Sequence, residues 1–179
     1  QLKDAVILMI IIYISKYKIN VSINLDYVDI LNPQIKKSLL DKIKSNNIGS
    51  YLTLEILESE KVSNFNIVND FINEVKNYGV KIAIDDFGSG FSNYENILNL
   101  DIDYIKIDGS LIKRISEETY LNLIKSIVLF SKKQSIKVIA EYVSDLKILR
   151  YVKNIEIDYS QGYHIGKPMS IQELFGDKN

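Results

Sequence analysis

Polar and charged side chains recur in this chain at one kind of place, the carboxyl end of a strand-like run. The stretch "VKIAIDDFGSG" (80–90) sets two acids side by side, Asp85 and Asp86, after an apolar run. The run at 19–25 ends near Asn24, and the one at 51–56 reaches Glu55. Residues 103–108 carry Lys106 and Asp108, residues 136–142 end at Glu141, and Gln161 and Gly162 follow the run at 155–160. In parallel α/β folds these ends share one face, and sites sit there. Carboxylates gathered on one face repel one another unless a cation binds among them. The chain has no cysteine and one histidine. Its oxygen-rich donors therefore point to Mg²⁺, Mn²⁺ or Ca²⁺ rather than zinc. Asp85 and Asp86 are placed to reach two ions, and a two-metal site suits in-line displacement at phosphorus.

The elements that must position these groups are legible in the same pattern. Six strand-like runs alternate with amphipathic stretches, the signature of parallel βα units. "NPQIKKSLLDKIKS" predicts a helix with Pro33 in its first turn. "VNDFINEVKNYG" predicts another, with Gly79 as its C-cap, and "EETYLNLIKSIVLFSKKQ" a third. "SIQELFGDKN" predicts a last short helix and a frayed end. No low-complexity or Gly/Ser-rich linker interrupts the pattern, so residues 1–179 are expected to form one domain. Six strands suit either an open doubly wound sheet or an eight-stranded barrel missing its beginning.

Composition narrows the class. Nearly half of the 179 residues are apolar, a quarter are charged, and the formal net charge is −1. That is ordinary for a globular protein, and no basic footprint suggests binding to a nucleic-acid polymer. The segment "AVILMIIIYI" (5–14) is about half a bilayer span and reads as a buried helix. A cytoplasmic location is expected, with any membrane attachment supplied by preceding segments. The chain starts at Gln1 inside a helix-like pattern, which suggests a piece of a longer protein.

The motifs together resemble one family. "VKIAIDDFGSGFSN" is similar to the DDFGTGYSS stretch of the EAL domains, the cyclic di-GMP phosphodiesterases. "VSINL" resembles that family's SVNLS strand, "LEILES" its ELTES and "IDYIKIDGSLI" its VDxLKIDRSFV. "KVIAEYVSD" resembles VVAEGVET, and "YSQGYHIGKPMS" resembles AQGYLFSRPLP, all in the same order. The resemblance spans about residues 15 to 172.

It implies a TIM-like (β/α) barrel, incomplete at its N-terminus, and a homodimer that takes cyclic di-GMP. It also implies metal ligation by Asn24, Glu55, Asp85, Asp86 and Glu141, with Mg²⁺ or Mn²⁺ in a two-metal site. Lys106 would orient or deprotonate the attacking water, with Glu55 and Gln161 beside it in the catalytic set. Gln161, Gly162 and Lys167 would bind substrate. Glu58 would brace the loop Phe87-Gly88-Ser89-Gly90, which links site to dimer contact.

Departures from the pattern set further expectations. The Glu-Ala-Leu signature, whose glutamate is a metal ligand, would lie before Gln1, and a phosphate-gripping arginine with it. The isolated chain is therefore expected to show no useful turnover. Tyr142 and Ser144 replace the family's glycine and second glutamate, and Leu57 replaces a threonine. Tyr142 and Ser144 motivate an alternative, a degenerate domain acting as a cyclic di-GMP receptor or dimerisation module. An upstream sensor or diguanylate cyclase domain fits either. The 12 tyrosines read as packing, and His164 carries no catalytic expectation.

Overall fold

The computed structural model describes residues 2–57, 65–90 and 94–176. Its strands are β1 (Val21–Asn24), β2 (Leu52–Leu57), β3 (Lys81–Phe87), β4 (Tyr104–Ile107), β5 (Lys137–Ala140) and β6 (Tyr159–Ser160). They hydrogen-bond in chain order, and the pairs β1·β2, β2·β3 and β5·β6 are parallel. Helices follow every strand, as a TIM-like barrel requires. Contacts divide the chain into two compact units, residues 1–106 and 107–179.

In the first unit β2 alternates strictly. Leu52, Leu54 and Ile56 are buried, while Thr53, Glu55 and Leu57 are half-buried on the other face. Leu54 and Ile56 pair in register with Ile82 and Ile84 of β3. Helix α3 (Pro33–Asn46) begins as its sequence predicts: Pro33 occupies the first turn, and the Asn32 side chain accepts from the Gln34 and Ile35 N–H groups. Helix α4 (Phe65–Lys76) buries Val68, Phe71, Ile72 and Val75. The apolar segment at 5–14 lies within helix α1 (Leu2–Tyr17). Ile11 and Ile14 are buried and pack with Ile48, while Leu8, Met9 and Ile12 are exposed. The expected buried helix is thus buried along one side only, because a helix apolar all round does not declare its face. Among the described residues no helix is long and apolar enough to cross a membrane.

Asp103 ties the start of β4 into this unit. It accepts from the Ile82 N–H at 2.9 Å and pairs with Lys76 and Lys81, each at 3.1 Å. Burial alone would push its carboxyl up; the Ile82 N–H and the two lysines outweigh that and hold it below its ordinary value. A depressed carboxylate stabilises the fold above its unfolded pKa and loses that contribution as pH falls through the folded value. Asp103→Asn should therefore cost about 1–3 kcal/mol at pH 7, the worth of hydrogen bonds to a charged group. The deficit should shrink as pH drops below about 4, where the unfolded chain begins to take up the proton, and close once pH passes the lower value of the folded carboxylate. Thermal unfolding of both proteins at pH 7 and pH 3 measures this, and a pH-independent difference would refute it.

The second unit contains α6 (Gly109–Ile112), α7 (Glu118–Lys133), α8 (Leu146–Asn154) and α9 (Ile171–Phe175), the last helix expected from the tail. In α7, Ile124, Ile127, Val128 and Ser131 form the buried stripe. The strand expected at 155–160 shrinks to two residues. Residues 155–156 form a turn instead, with Glu156 in the left-handed region (φ 57°) and Ile157 buried.

Candidate active site

Strand register gathers the first group of polar residues. Asn24 of β1 is the register partner of Glu55 on β2, and Glu55 is the partner of Ala83 on β3. Asp85 lies two residues beyond Ala83 and so shares its face. Lys106 of β4, only 4% exposed, joins the two carboxylates. Its Nζ donates to Glu55 Oε2 at 2.8 Å and to Asp85 Oδ1 at 2.7 Å. A buried ammonium requires such partners.

The adjacent acids have different backbones. The sequence suggests a strand that stops before them, whereas β3 continues through both to Phe87. Phe87 is fully buried, its ring edge-on to Tyr94 with 5.5 Å between centroids, which draws the chain onward. Asp86 absorbs the change of direction in a left-handed conformation (φ 56°), one that aspartate tolerates better than most residues. Its N–H donates to Asp85 Oδ1 at 3.0 Å, and a carboxylate oxygen of each acid lies within 4.8 Å of the other. The kink thus converts sequence neighbours, which a regular strand would point to opposite faces, into a pair. Gly88 follows at φ 93°, and the Ser89 N–H donates back to the Asp86 carbonyl. Gly90 and Ser89 are exposed, and Glu58 lies outside the described residues.

The second group is built on the ends of β5 and β6. Glu141 is buried, its N–H donating to the Ile107 carbonyl. Gln161 Nε2 donates to Glu141 Oε1 at 2.9 Å. The loops that carry them are laced together: the Val143 N–H donates to the Gln161 carbonyl, and the His164 N–H to the Val143 carbonyl. A Cβ on Gly162 would lie 2.4 Å from the Val143 nitrogen, so this close approach admits only glycine. Gln161, Gly162 and Lys167 line a cavity of about 790 Å³. Tyr142 and Tyr163 line it too, 59% and 67% exposed. The expectation that the tyrosines serve packing fails for these two. Tyr142 was visible as a departure from the family's glycine, and Tyr163 as the tyrosine of the matched Gln161-Gly162-Tyr163 motif.

Oxygen donors on Glu55, Asp85 and Asp86 fit a hard divalent cation. A model of the EAL domain matches residues 10–168. The chain belongs to the EAL family. It is 39% identical over 162 residues to the cyclic di-GMP phosphodiesterase PdeA of Borreliella burgdorferi, covering 89% of this chain and 24% of that protein. The chain thus spans about a quarter of that curated relative's length. An EAL domain protein from Listeria monocytogenes superposes with a TM-score of 0.87 at 26% identity, over 96% of this chain and 70% of that one. The EAL enzyme Bd1971, in a form bound to cAMP and cyclic di-GMP, gives 0.80 at 25% identity, over 87% and 42%. The fold is accordingly an incomplete TIM-like barrel.

Proposed function

We propose that this chain is part of a metal-dependent phosphodiesterase domain that opens cyclic di-GMP to linear pGpG. The observation that carries the reading is Lys106, buried between Glu55 and Asp85 on one strand-end face. Its support from outside the chain is the activity named for the Borreliella relative and the cyclic di-GMP named for a Bd1971 complex. Asn24, Glu55, Asp85, Asp86 and Glu141 would hold Mg²⁺ or Mn²⁺, carried over from the matching family motifs. Bound ions of this kind activate water and neutralise charge at phosphorus.

The chain's own residues have separable tasks. Lys106 donates to both Glu55 and Asp85. As an ammonium it would orient the attacking water; it would accept that water's proton only after first giving up one of its own. Gln161 is steadied by Glu141 and would position water or substrate. Gly162 lets the backbone approach, and Lys167 supplies positive charge for a phosphate. Phe87, Gly88, Ser89 and Gly90 would couple the site to a dimer contact, with Glu58 as brace.

The test is incubation of protein containing this sequence with cyclic di-GMP, first with Ca²⁺ and then with Mg²⁺ or Mn²⁺. Binding with Ca²⁺ and conversion to pGpG with the other ions is expected. Tyr142 and Ser144 favour a second reading, a receptor domain. Saturable binding without conversion in any ion would establish that instead. Failure to bind the dinucleotide at all would overturn both.

A further inference from the structure

The proposed function leaves one feature of the second unit unused. Tyr142 stands where the family pattern has glycine, yet it keeps a glycine-like backbone, with φ 54°. A bulky residue held there is strained, and strain of this kind persists where the surroundings enforce it. Two neighbours do so. Lys113 Nζ lies 3.9 Å from the centre of the Tyr142 ring. Gly109 lies so close that a Cβ there would come within 2.4 Å of the ring's Cδ2. The ring is therefore pinned in place, unlike a side chain that swings with solvent.

We infer that Tyr142 is a stacking platform for one guanine of the dinucleotide. The inference rests on the cyclic di-GMP reading and deepens it. The ring lines the same cavity as Gln161, Tyr163 and Lys167. At about 790 Å³ the cavity is within the size range of nucleotide-sized ligand sites. A flat aromatic wall suits a purine face, and a lysine suits the O6/N7 edge of guanine or a phosphate. Pinning matters because a platform fixed before binding costs no ordering when the base arrives. A loop glycine cannot supply this contact, so the substitution adds a base contact to a site otherwise built from strand-end polar groups.

The experiment uses protein containing this sequence and cyclic di-GMP with Ca²⁺, comparing wild type with Tyr142→Phe, Tyr142→Leu and Tyr142→Gly. Glycine adopts positive φ readily, so the last variant keeps the backbone. Calorimetry should give an affinity within about twofold for Tyr142→Phe and about tenfold weaker for Tyr142→Leu and Tyr142→Gly, as loss of base–aromatic stacking predicts. Proton spectra add a readout that a merely structural tyrosine would not move. The guanine H8 resonance should shift upfield on binding wild type and Tyr142→Phe, and that ring-current shift should shrink with Tyr142→Leu. Equal or tighter binding by Tyr142→Gly overturns the platform and leaves the cyclic di-GMP reading standing. A wild-type chain that binds no dinucleotide overturns both.

Discussion

Replacing Lys106 with alanine should remove most hydrolysis of cyclic di-GMP while leaving its binding within a few-fold. A group that manages the attacking water acts mainly in the transition state, so its loss lowers kcat more than affinity. General-base roles are worth about 10²–10⁴-fold, which sets the expected loss. The ion pairs make the prediction sharper. Lys106 neutralises Glu55 and Asp85 in a buried position, and its removal leaves two facing carboxylates. Breaking a buried pair from one side costs about 3–5 kcal/mol, so Lys106→Ala should unfold well below wild type without metal. Added Mg²⁺ should restore much of that loss, because the ion takes over the neutralisation. Binding is measured with Ca²⁺, kcat with Mg²⁺ in the complete domain, and thermal unfolding with and without the ion. A variant with near-normal kcat refutes the catalytic role. One whose stability ignores Mg²⁺ refutes the shared site.

That double role could not be read from the chain alone. The sequence places Lys106, Glu55 and Asp85 near the ends of separate strands, and alternation tells which residues share a face. Which strands lie close enough for one ammonium to reach two carboxylates depends on topology and register, both of them nonlocal. Locally determined features were legible: the Asn32–Pro33 start of α3, the stripe of α7, and strands β1 to β5 to within a few residues. The Ile155–Asp158 segment misled because its alternation mimics a strand. There, the end of α8 and the burial of Ile157 impose a turn. The Asp85–Asp86 pair was conspicuous as chemistry but not as geometry, since nothing in its local pattern forecasts a left-handed residue inside a strand. Tyr142 was conspicuous only against the family's glycine. Its pinned ring needs Gly109 and Lys113, some thirty residues earlier in the chain.

Asp85→Asn should abolish Mg²⁺ and Mn²⁺ binding in the complete domain, while His164→Ala leaves it unchanged. Asparagine keeps the size and one acceptor oxygen of aspartate, so packing at this 8%-exposed position survives. What disappears is the charge. Hard cations are held largely by anionic oxygen, and Mg²⁺ gives up its hydration reluctantly for neutral donors. Asp85 also competes for Lys106, since its Oδ1 receives both that ammonium and the Asp86 N–H. An incoming ion must therefore share this carboxylate or displace the lysine from it, and either way its charge decides the balance. With asparagine in place, Lys106 keeps only Glu55 as an anionic partner of the two and pairs with it more tightly, withdrawing a second candidate ligand. The two effects act in the same direction, which is why loss rather than weakening is expected. His164 is exposed on the loop after β6, and its N–H contact to the Val143 carbonyl belongs to the backbone, which alanine retains. Calorimetric titration of the wild type and both variants decides the matter. Equal affinity for wild type and Asp85→Asn would remove Asp85 from the ligand set. Loss of affinity in His164→Ala would place the metal on a different group.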